Sequence, residues 1–74
     1  MEINEISSLG RDRVFRCLTN DAGAAMRAVA SSDLREHPHV KYRGWQSGRI
    51  TANFLGPDIV EVRVRYQWVP GGVK

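Results

Sequence analysis

Cysteine is nearly missing from this chain: Cys17 stands alone among 74 residues. No internal disulfide can form, and no multi-cysteine zinc site exists. A reducing, cytoplasmic compartment is the expectation that follows. Long apolar runs are missing too. No stretch approaches the roughly 18 apolar residues of a membrane-spanning helix, so no membrane partner is expected. The opening MEINEISSLG is acidic and has no apolar core, so it does not read as a secretory signal. Lysine is scarce: of eleven basic residues, only Lys41 and Lys74 are not arginine. Neither a G-x-G-x-x-G nor a G-K-[ST] pattern occurs, which removes the usual phosphate-cradling loops. Carboxylates at a spacing suited to hydrolysis are also absent. Asp58 and Glu61 span a turn and a strand start, where water reaches both.

What is present fits one small globular domain over 1–74, with 1–10 and 70–74 expected to be peripheral. Apolar residues make up 42% and charged residues 26%, a balance suited to a folded chain. A mass of 8.3 kDa lets a chain bury only about 60% of the surface it exposes unfolded. Such a core is modest and unstapled. A second copy of the chain or another partner is therefore a candidate source of further burial.

The C-terminal half carries the clearest pattern. Val40–Trp45, Arg49–Leu55 and Ile59–Val69 each alternate apolar and polar residues with period two, the mark of half-buried strands. Gln46-Ser47-Gly48 and Gly56-Pro57-Asp58 have turn composition, with Gly48 expected in the left-handed region. Three antiparallel strands follow from this. One face would hold Val40, Tyr42, Gly44, Ile50, Ala52, Phe54, Val60, Val62, Val64, Tyr66 and Trp68 against the core. The other would hold Lys41, Arg43, Trp45, Arg49, Thr51, Asn53, Leu55, Ile59, Glu61, Arg63, Arg65 and Gln67.

Before these strands, Asn20 or Asp21 can cap a helix beginning near Ala22. Ala22, Ala25, Met26, Val29, Ala30 and Leu34 recur at helical spacing, and Arg35 suits the negative end of the dipole. His37-Pro38 ends the helix, because a residue before proline is driven out of the α region. Val14–Thr19 is rich in β-formers and reads as a strand. Ile3, Ile6 and Leu9 sit at helical spacing, and Gly10 breaks the chain. The fold expected is α+β: one helix on a three- or four-stranded, mainly antiparallel sheet, in the order β-α-β-β-β. The alternative is α-α-β-β-β.

Residues 1–36 carry five bases against six acids, and residues 37–74 carry six against two. Positive charge therefore collects on the strand region. Lys41, Arg43, Arg49, Arg63 and Arg65 would share the uncovered sheet face, with only Glu61 opposing them. Trp45 would stand beside them as a stacking platform. Arginine forks match phosphate, and an aromatic ring among them suits a base. Nucleic-acid binding is the leading expectation for function. The alternative is an inhibitor or adaptor docking the same Arg/Trp face on an acidic protein.

Other constellations read as structural. His37 and His39 fall short of a metal site, which needs three or four ligands, and are expected in a solvated loop. Cys17 has no orienting base and reads as a small core residue. Arg11, Arg13 and Arg16 are interrupted by Asp12 and read as ordinary solvated charges. No enzyme, cofactor or metal is expected.

Overall fold

The computed structural model describes residues 1–30 and 37–68. Strand β1 (Ile3–Leu9) and strand β2 (Asp12–Leu18) precede helix α1 (Ala22–Ala30). A short 3-10 turn, Val40–Tyr42, then leads into β3 (Gln46–Gly56) and β4 (Ile59–Gln67). The four strands form one sheet in the order β1-β2-β4-β3, and each neighbouring pair is antiparallel. The expected class is observed: one helix on a four-stranded antiparallel sheet. The distribution of strands differs, with two before the helix and two after it.

The additional strand comes from residues expected to be peripheral. Gly10-Arg11 joins β1 to β2 with Gly10 at φ 62, the positive-φ first position of a tight hairpin turn. A bulge between Glu5 and Ser7 advances the register of β1 by one residue. Ile3, Ile6 and Leu9 fall three apart, a helical spacing, yet the ladder to β2 makes this segment a strand.

Val40–Trp45 is not a strand. His39 precedes the 3-10 turn, and its Nδ1 accepts a hydrogen bond from the Lys41 backbone N–H at 3.1 Å. The backbone N–H groups of Tyr42 and Arg43 bond to the His39 and Val40 carbonyls. Gly44 then adopts φ 86. Local side-chain-to-backbone bonding of this kind competes with a sheet ladder, and here it wins. The strand begins at Gln46 instead, taking in the Gln46-Ser47-Gly48 segment expected as a turn. Gly48 lies at a bulge between Ser47 and Arg49 and does not have positive φ.

The helix starts where its cap residue dictates. Asp21 Oδ1 accepts from the Ala24 N–H at 3.0 Å, satisfying a donor that has no partner within the helix. Ala25 and Val29, one turn apart, face the sheet fully buried. Beneath them Phe15 and Cys17 of β2 join Val60, Val62, Val64 and Tyr66 of β4 in the core. Four large side chains on one strand face, each worth about 1.5–3 kcal/mol on burial, pin the register of β4. The core face expected for this strand is therefore correct through Tyr66. Trp68 lies past the last paired residue and is 50% exposed, so it does not pack as expected. Val40 is exposed for the same reason that it is not in a strand, and Phe54 is exposed near the β3–β4 turn. The expected helical positions Leu34 and Arg35, and the tail 70–74, lie outside the described residues.

Candidate functional site

The side of the sheet away from α1 is a grid set by register. Asp12, Arg65 and Arg49 lie in one row across β2, β4 and β3. Val14, Arg63 and Thr51 form the next row, and Arg16, Glu61 and Asn53 the third. Leu18 and Ile59 continue it towards an apolar end. Each row advances two residues along the strand, about 6.6 Å. Directly opposite residues hold their Cβ atoms roughly 5 Å apart. Arg49, Thr51, Arg63 and Arg65 line an open basin of ≈ 540 Å³.

Arg49 directly faces Arg65 across the β3–β4 ladder. Like charges in that relationship oppose each other. Asp12 relieves part of the repulsion. Its two carboxylate oxygens accept from Arg65 Nε at 3.0 Å and Nη2 at 3.2 Å. That hydrogen bonding holds the Asp12 carboxyl below its ordinary range and raises the Arg65 guanidinium above its own. Across the nine grid positions, four arginines against Asp12 and Glu61 leave a charge of +2.

The structure brings together three of the six residues expected to form the site. Arg49, Arg63 and Arg65 share the basin. Lys41 lines a different, ≈ 340 Å³ pocket with Ser8, Gly10, His37, His39 and Tyr42. Arg43 ends the 3-10 turn. Trp45 is half-buried, packs against the core, and meets Tyr42 edge-on at 5.0 Å between ring centroids. The strand alternation that would have aligned these three with the arginines is replaced by the 3-10 turn. Glu61 is also not the only opposing charge, because Asp12 stands on the same face.

Asp12 and Arg16 join this face from β2, where sequence patterning does not place them, while Thr51 stands on the face expected for it. The pairing of β2 with β4 makes Asp12 and Arg16 neighbours of Arg65 and Glu61. Gly10-Arg11 signals only the β1–β2 hairpin, and the pairing of β2 with β4 joins segments distant in sequence.

On the helix side, Arg13 is 5% exposed. Its Nε and Nη2 donate to the two Glu5 carboxylate oxygens, each at 2.8 Å, and its Nη1 donates to the Tyr66 hydroxyl at 3.2 Å. The guanidinium stands 4.8 Å from the Phe15 ring centroid. It is a core cation, not the solvated charge expected. His37 is also 5% exposed, against the expectation of a solvated loop. Its Nε2 bonds to the Gly10 carbonyl at 3.0 Å, while its Nδ1 accepts from the His39 N–H at 3.1 Å. Those bonds require the neutral ring with its proton on Nε2. Burial pushes the His37 pKa down.

Cys17 is fully buried, and burial raises its thiol pKa. It packs as a hydrophobe and is not poised as a thiolate. Among the described residues, no group of three metal-ligating side chains converges, and no helix is long and apolar enough to cross a membrane. Comparison with known protein families, with curated proteins and with solved structures finds no match to this chain.

Proposed function

We propose that this chain is a non-catalytic binding protein that holds the phosphate backbone of a nucleic acid on the open face of its sheet. The observation that carries this reading is the direct opposition of Arg49 and Arg65, with Arg63 lining the same basin. Two guanidinium groups facing each other across a ladder cost stability when the face is empty. A phosphate between them turns that repulsion into two charge-assisted contacts. Thr51 adds a hydroxyl donor to the same basin. Arginine offers fixed planar forks, which orient phosphate better than lysine's point charge. Backbone contacts of this kind carry little sequence information.

The test is fluorescence anisotropy with a labelled oligonucleotide across a salt series. Wild type should bind with log K falling linearly against log salt. Arg63→Glu should weaken binding and lower that slope by about one unit or more. Absence of binding at low salt, or an unchanged slope in the variant, overturns the reading.

A second reading has its own observation. Leu18 and Leu55 are exposed large apolar residues near the Ile59 end of the sheet. Apolar contacts next to arginines are what an acidic protein partner would use. Capture of one protein from a cell extract that survives nuclease and about 0.3 M salt would favour this reading over the first.

A further inference from the structure

We infer that the nucleic acid fitting this face is a duplex gripped by its backbone, rather than a single strand held through its bases. This rests on reading the open face as a phosphate-binding surface. The chain has six aromatic residues: two Phe, two Tyr and two Trp. None belongs to the arginine grid. Phe15 and Tyr66 are buried beneath the helix. Trp45 packs against that core, and Tyr42 lies 4.6 Å from the His37 ring between centroids. Phe54 is in register with Val60 and so shares the helix side. Trp68 is half-exposed but follows the last paired residue of β4, outside the grid.

Proteins that hold single strands combine a positive groove with aromatic platforms on which successive bases stack. Among the described residues this face has the charge and no aromatic ring at any grid position. Its affinity must therefore follow phosphate density. A duplex presents one charge per roughly 1.7 Å of axis and a single strand one per roughly 3.4 Å. Duplex phosphates are also already arrayed, whereas a flexible strand must be ordered on the protein with no stacking to offset the entropy lost. The grid suits a fixed array. Arg63 and Arg65 stand two residues apart on β4, Arg49 faces Arg65 from β3, and Arg16 extends the positive charge onto β2.

The experiment compares one sequence of about 20 bases, two helical turns when paired. It is offered as single-stranded DNA, duplex DNA and duplex RNA to the full chain at one low salt concentration. At least one duplex should bind about fivefold or more tighter than the single strand, because its phosphates are denser along the axis and already arrayed. The double variant Arg49→Glu with Arg63→Glu should abolish this preference. Circular dichroism of the double variant checks that the fold persists, as both positions are exposed.

A single strand that binds as tightly as both duplexes, and is released by the double variant, overturns the duplex inference. The phosphate-binding reading would survive that result. No binding of any of the three probes overturns both. A duplex preference that persists in the double variant locates the contact elsewhere and overturns the assignment of this face.

Discussion

Arg13 and Glu5 lie on neighbouring strands and are joined by two parallel 2.8 Å hydrogen bonds on the helix side of the sheet. The pair closes the end of the core above Tyr66, whose hydroxyl takes the third guanidinium bond. Hydrogen bonding to Arg13 holds the Glu5 carboxyl below its ordinary range, and Glu5 raises the Arg13 pKa in return. The cation stays in an apolar setting because its donors are met and aromatic rings lie beneath it.

Removing one partner should cost more than removing both. Glu5→Ala leaves a buried guanidinium without its carboxylate and should destabilise the chain by about 2 kcal/mol. Arg13→Met combined with Glu5→Ala should cost less than the sum of the two single changes. Urea unfolding of the four proteins measures the coupling. Strict additivity would show that the pair does not act as a unit.

Stability should fall as the solution is acidified, in two stages. His37 has a folded-state pKa below its ordinary 6.5 because burial disfavours the charged ring. Its contribution is complete above about pH 6.5 and is lost as pH falls through the folded value. Protonation would also place a hydrogen on Nδ1 against the His39 N–H. Glu5 follows the same sign, with its contribution complete above its ordinary 4.5 and lost below as the carboxylate is protonated. Thermal unfolding across pH should show His37→Gln flattening the upper stage and Glu5→Gln the lower one. Parallel curves for wild type and His37→Gln would contradict the assignment.

Two strand glycines should respond oppositely to alanine. A Cβ on Gly48 would lie 2.9 Å from the Gln67 side chain and 3.1 Å from the Arg65 carbonyl oxygen. Gln67 can swing aside, but the β4 backbone has to give, so Gly48→Ala should cost about 1 kcal/mol. A Cβ on Gly56 meets nothing within 4 Å. Gly56→Ala should be neutral or stabilise by about 0.5 kcal/mol, because the unfolded chain loses freedom. Denaturation midpoints of the two variants decide this.

The division of the six expected site residues can be measured directly. Lys41 lines the pocket beside His37, away from the arginine basin. Lys41→Glu should change oligonucleotide affinity less than Arg63→Glu does at the same salt. Equal losses would mean that net charge, and not this face, governs binding.

Much of the sheet was legible because burial imposes a two-residue period on any strand covered on one side. Val60, Val62, Val64 and Tyr66 announce their face, and Arg63 and Arg65 then point the other way. The helix start was legible because Asp21 supplies a bond that the first turn cannot make for itself. Val40–Trp45 misled because its alternation is real while its hydrogen bonds are local. Residues 3–9 misled because Ile3, Ile6 and Leu9 fall at helical spacing, while pairing with β2 makes a strand of them.

The residue pattern along β4 by itself determined which way its arginines face and which strand lies at the heart of the core. Only the tertiary structure decided that Asp12 reaches Arg65, that Glu5 neutralises Arg13, and that Trp45 turns inward. Each of those pairings joins segments whose separation in sequence says nothing about register. Strand order, a bulge and a 3-10 turn set which side chains meet, and these depend on backbone hydrogen bonds between distant segments.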